Sequence, residues 1–99
     1  MLMDENNNIK ICDFGWSIDK SNDMRSTFCG TYEYMAPEIL SEGGYDYRVD
    51  IWSLGILLYE LLHGFSPFKG DSMVDIFSKI KKGNMKFSTS VSNEAKKII

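Results

Sequence analysis

Asp13-Phe14-Gly15 and Ala36-Pro37-Glu38 stand with twenty residues between them, and Gly30-Thr31 and Tyr34 fall inside that interval. Alone, either triplet reads as a turn, because Asp bonds its own backbone and Gly relieves the torsions that follow. In this order and at this spacing they bracket a loop. Trp16 to Thr27 is mostly Ser, Asn, Asp and Lys, a composition that lies on the surface between packed elements. Pro37 suits the first turn of a short helix from Glu38 to Leu40, where a missing N–H costs nothing, and Gly43-Gly44 breaks it.

Upstream, Leu2-Met3 and Ile9-Lys10-Ile11-Cys12 flank an Asn-rich turn, Asp4 to Asn8. That pattern predicts a β-hairpin over residues 1–12 that delivers the chain into Asp13. Downstream, ten of the fourteen positions from Val49 to Leu62 are apolar and cover every face. A helix of that kind, here residues 49–63, is expected to be buried all round. Gly64 supplies its stop. Ser66-Pro67-Phe68 is a connecting turn. Ser72 and Asp75 form a capping box for a second helix over 72–82, with Met73, Ile76, Phe77 and Ile80 at helical spacing and Gly83 as its end. Ser92 can cap a last helix over 92–99, which runs into Ile98-Ile99 without a polar exit, so the chain reads as cut within an element.

A length of 99 residues suits one small domain or part of a larger one. A net charge of −3 argues against nucleic acid as a partner, since no basic stripe is there to neutralise phosphates. Lys79, Lys81 and Lys82 close a helix and read as dipole compensation, as does His63 before Gly64. Cys12 and Cys29 have no metal-ligand spacing and read as reduced thiols of an intracellular protein. There is no signal-peptide pattern. The uncharged apolar stretch with the highest density, Ile51 to Tyr59, falls far short of the ~20 residues that span a bilayer. A cytoplasmic or nuclear location without membrane association is expected.

With these residues in view, the chain resembles eukaryotic serine/threonine protein kinases along essentially its whole length. Asp13-Phe14-Gly15-Trp16-Ser17 and Phe28-Cys29-Gly30-Thr31 resemble the Aurora kinases, and Val49-Asp50-Ile51-Trp52-Ser53-Leu54-Gly55 resembles the family's central buried helix. The resemblance implies an α+β protein-kinase-like fold. The chain would cover a fragment of the mainly helical C-terminal lobe, with a short N-terminal β-hairpin and an activation segment over 13–38. It implies ATP and Mg²⁺ as cofactors, with Asp13 binding the cation that bridges the nucleotide phosphates, because a hard cation takes oxygen ligands. Gly15 permits the turn that follows. Thr31 corresponds to the threonine that hydrogen-bonds the catalytic aspartate and lysine. Thr27 corresponds to the regulatory phosphosite, where a phosphate can order the loop against arginines such as Arg25. Arg25-Ser26-Thr27 also resembles the basic-minus-two consensus that Aurora kinases phosphorylate, and Ser26 competes as acceptor.

By the same resemblance Glu60 contacts an arginine of the substrate, so the partners are proteins with basic residues near the Ser/Thr. Glu38 pairs with an arginine that would lie beyond Ile99. Asp50 accepts backbone N–H bonds from the catalytic loop, or simply sits favourably in the first turn of its helix. The bland readings remain beside these: solvated Ser/Thr for Thr27, a helix-end carboxylate for Glu60, and core for Trp52. The 99 residues hold no Gly-rich loop, no β3 lysine and no catalytic-loop aspartate or asparagine. By themselves they are therefore expected to transfer no phosphate and to be partly unfolded or prone to aggregate through exposed apolar surface. The alternative is a non-catalytic kinase-derived binding module or pseudokinase.

Overall fold

The computed structural model describes residues 1–14, 32–41 and 44–99. Strands β1 (Leu2–Met3) and β2 (Ile9–Lys10) pair antiparallel, with Leu2 opposite Lys10 and Met3 opposite Ile9. Asp4 organises the turn between them. Its carboxylate accepts the Asn6 and Asn8 N–H groups at 2.9 and 2.8 Å and the Asn8 side-chain amide at 3.0 Å. Those bonds, led by the Asn8 backbone, hold its pKa below the usual carboxylate range. Asn7 takes the left-handed conformation at φ 63° that an Asn tolerates.

Two 3-10 turns, Tyr32–Tyr34 and Pro37–Leu40, lead to the helices. Pro37 opens the second, as a residue with no N–H to satisfy should. Helix α1 runs Arg48–His63, α2 Met73–Lys82 and α3 Asn93–Ile98. Gly64 closes α1 in the left-handed region at φ 80°, its N–H bonding Glu60 O at 2.7 Å. Ser72 and Ser92 cap α2 and α3 by accepting the Asp75 and Ala95 N–H groups. No helix among the described residues is long and apolar enough to cross a membrane.

The core is a small cluster of Ile56, Phe68, Ile76 and Ile80, with Tyr34, Leu40, Trp52, Phe77 and Met85 packed around it. It lies where α1, α2 and the loop between them meet. Here the structure departs from the expectation for α1. Only Ile56 and Tyr59 of that helix are buried, whereas Ile51, Leu54, Leu61 and Leu62 are exposed. Apolarity on all faces means that every face suits burial, and among the described residues α2 and the 3-10 turns cover only one. The hairpin likewise exposes Leu2, Met3 and Ile9.

The loop into α2 depends on a glycine. A Cβ on Gly70 would stand 2.6 Å from Asp75 Oδ2 and 2.9 Å from the side chain of buried Ile76. Asp75 cannot swing away freely, because Lys79 donates to it at 2.7 Å and also to Lys69 O at 2.8 Å. Lys79 thus ties the loop down as well as lying in the last turn of α2. Gly70→Ala is therefore expected to cost about 1–3 kcal/mol as an overpacking change. The shift of the urea midpoint reads it out, and Lys69→Ala, on an exposed side chain, gives the baseline.

Candidate functional site

The hairpin ends at Asp13, which adopts φ 65° without being a glycine. Asp tolerates this region better than most residues, yet it is sparsely populated and marks a place where geometry is imposed. Both Asp13 and Phe14 are exposed, so the carboxylate stands at the surface at the head of the polar segment. Gly15, Thr27 and Thr31, together with Arg25 and Ser26, lie outside the described residues.

At the far end of that segment the structure brings together residues distant in sequence. The hydroxyl of Tyr34 donates to Glu60 Oε2 across 26 positions. That bond, reinforced by partial burial, pushes the Tyr34 phenol up to about 12. Ser53 supports the same turn from α1, its hydroxyl reaching Tyr34 O at 3.1 Å and Val49 O at 3.0 Å. Tyr32 sets its ring edge-on against Phe77 of α2, with centroids 5.8 Å apart and an interplanar angle of 83°. The Tyr32–Tyr34 turn is thus clamped between α1 and α2. Glu60 is half-buried and held in one orientation instead of waving at a helix end.

Glu38 is half-buried and lines an open notch of about 290 Å³ with Gly44, Tyr45, Asp46 and Arg48. Arg48 donates to Asp46 at 2.9 Å, and Asp46 and, more weakly, Glu38 hold its guanidinium charged. An arginine of this chain therefore stands beside Glu38 although its ion pair is with Asp46. Asp50 sits in the first turn of α1, exposed.

His63 lies in the last turn of α1, as expected from its position, and both ring nitrogens are engaged there. Its Nε2 accepts the Ser88 N–H at 3.1 Å and its Nδ1 lies 2.9 Å from Tyr59 O. An acceptor role at Nε2 needs a lone pair, which only the neutral ring has. The pairing of Tyr34 with Glu60 and that of His63 with Ser88 were beyond sequence reasoning, since neither leaves a local pattern.

Among the described residues no group of three or more His, Cys, Asp or Glu could hold a metal ion by itself. Asp13, the residue expected to bind the cation, would offer one exposed carboxylate. That donor set fits Mg²⁺, which keeps several waters and is held by one or two carboxylates plus substrate phosphates instead of an all-protein cage.

The model of the protein kinase domain matches residues 1–99. The chain belongs to the protein kinase domain family. This kinase-domain chain is 48% identical to an Aurora kinase of Dictyostelium discoideum over its whole length, covering 26% of that protein. It is 39% identical to Aurora kinase A-B of Xenopus laevis, again over the whole chain and 24% of the relative. It is 47% identical to the serine/threonine-protein kinase SCH9 of Saccharomyces cerevisiae over 92% of the chain and 11% of that protein. The chain therefore spans at most about a quarter of the length of these curated relatives. The family expectation of a kinase-like fold fragment, with a two-stranded sheet and three helices, holds. Membership in this family implies use of ATP and usually of Mg²⁺.

Proposed function

We propose that this chain is the activation segment and central helices of an ATP-dependent serine/threonine protein kinase, which transfers phosphate from Mg-ATP to basic protein substrates. The observation that carries this reading is the 48% identity to an Aurora kinase along the entire chain. Asp13 would hold Mg²⁺, which supplies charge neutralisation at the transferring phosphoryl group. Thr31 would position the catalytic aspartate and lysine, Thr27 would be the switch phosphosite, and Gly15 would free the turn. Glu38 and Asp50 would tie the lobe together. The kinase would work in the cytoplasm or nucleus.

Glu60 would recognise a substrate arginine. Its support is the Tyr34 hydroxyl, which occupies Oε2 and leaves the rest of the carboxylate to accept from a guanidinium. Binding so assigned acts on the ground state as much as on the transition state, which decides the kinetics to expect. In the complete kinase, Glu60→Gln raises KM for an arginine-bearing peptide by about 10- to 100-fold, the worth of a charged hydrogen bond. The same change leaves kcat and the KM of an arginine-free peptide alone. It also lowers the Tyr34 phenol from about 12, visible by ultraviolet titration. The sign is that of a raised group: the pair contributes fully below the ordinary value of 10.0 and is lost as pH climbs through about 12. Equal KM values for both peptides in the parent enzyme would rule out the basophilic reading.

A further inference from the structure

His63 is the only histidine of the chain, and both of its ring nitrogens are in use. A carbonyl only accepts and an amide N–H only donates, so contacts of 2.9 Å to Tyr59 O and 3.1 Å from Ser88 N define a neutral ring protonated at Nδ1. The ring stacks on Tyr59 with centroids 3.9 Å apart and an angle of 6°, and it meets the rings of Phe65 and Phe87 at 5.9 and 6.0 Å. Tyr59 in turn donates its hydroxyl to Lys86 O at 2.6 Å. Two hydrogen bonds thus fasten the segment after α2 to the C-terminal end of α1, and one of them depends on an imidazole lone pair.

We propose that His63 is a proton-sensitive latch that holds the Lys86–Ser90 segment against α1. Histidine is the side chain that changes charge between about pH 5 and 8. Protonation turns Nε2 into a donor facing the Ser88 N–H, so that contact is lost and replaced by repulsion. On the other side nothing is lost. Nδ1–H keeps donating to Tyr59 O, the C-terminal carbonyls of α1 favour a cation, and the aromatic faces accept one. The ring is at home in both states, and the Ser88 bond alone tells them apart.

The groups facing the ring fit this arrangement. From α1 this is Tyr59, whose phenol burial pushes up, while Glu60, next in sequence, is engaged by Tyr34. From the loop after α1 it is Phe65, and from the later segment Phe87 and Ser88, with exposed Lys86 as the adjacent cation. Release of Ser88 reaches onward, because Ser88 O accepts the N–H of buried Val91 at 3.2 Å, immediately before the cap of α3.

The test is amide hydrogen exchange in the isotope-labelled complete kinase at about pH 7.5 and about pH 5.5, corrected for intrinsic rates. Protection of the Ser88 amide is expected to fall about two- to tenfold at the lower pH, the worth of one hydrogen bond, while Gly83 at the end of α2 holds. His63→Gln, which can accept and donate without titrating, removes the pH dependence. Nitrogen shifts of the unaltered imidazole provide a check that needs no variant, and at neutral pH they must report Nδ1–H. Ser88 protection equal at both pH values, the same pH dependence in His63→Gln, or an Nε2–H tautomer overturns the proposal.

Discussion

Phe68→Ala removes about 3–5 kcal/mol of stability, a large share of what even a complete folded domain holds, on the order of 5–15 kcal/mol. Phe68 is fully buried and touches everything that matters in the small core. Its ring lies parallel to Trp52 at 5.9 Å, joining α1 to the loop, and the same cluster holds Ile76 and Ile80 of α2. Truncation leaves a cavity between two helices that have few other buried contacts to share. Ser66 Oγ accepts the Phe68 N–H at 3.3 Å, so the loop conformation survives and cannot collapse to fill the void. Urea unfolding followed by tryptophan fluorescence reads the effect. Leu61→Ala is the control: Leu61 is as apolar as any core residue but 74% exposed, and its truncation shifts the midpoint by less than about 0.5 kcal/mol. If the two variants behaved alike, the placement of the core between α1 and α2 would be wrong.

The contrast between Phe68 and Leu61 also shows where sequence reasoning stops. Local devices were legible because they act over three or four residues. The Ser72 cap, the left-handed stops at Gly64 and Gly83, Pro37 at the head of its turn and the Asn-rich hairpin stand as read, while the Asp75 carboxylate pairs with Lys79 instead of closing the capping box. Helix α1 was legible as a helix but not as a half-covered one, since apolarity states what a face suits, not what meets it. Tyr34 with Glu60, His63 with Ser88 and Gly70 under Asp75 required chain paths that no periodicity encodes. Of the residues assigned to chemistry, Asp13, Glu38, Asp50 and Glu60 have positions here. The Tyr34–Glu60 bond makes Glu60 a fixed carboxylate, which composition alone could not distinguish from a helix-end charge.

Asp13 carries the larger claim. It opens the segment, it is exposed, and its backbone holds the left-handed conformation that Asp and Asn share. Asp13→Asn therefore keeps the turn and the size while deleting the charge, so a loss of activity reports on cation binding instead of folding. A metal that neutralises a transferring phosphoryl group supplies several kcal/mol of transition-state stabilisation, and each 1.36 kcal/mol is worth tenfold in rate.

The deciding measurement is steady-state phosphate transfer from ATP and Mg²⁺ to a basic peptide by the complete kinase, comparing the parent enzyme with its Asp13→Asn variant. The account predicts that kcat falls about a thousandfold or more with unchanged thermal unfolding, and that the 99-residue chain alone transfers nothing. An Asp13→Asn enzyme within about tenfold of the parent would contradict it, as would turnover by the isolated chain that survives the same substitution.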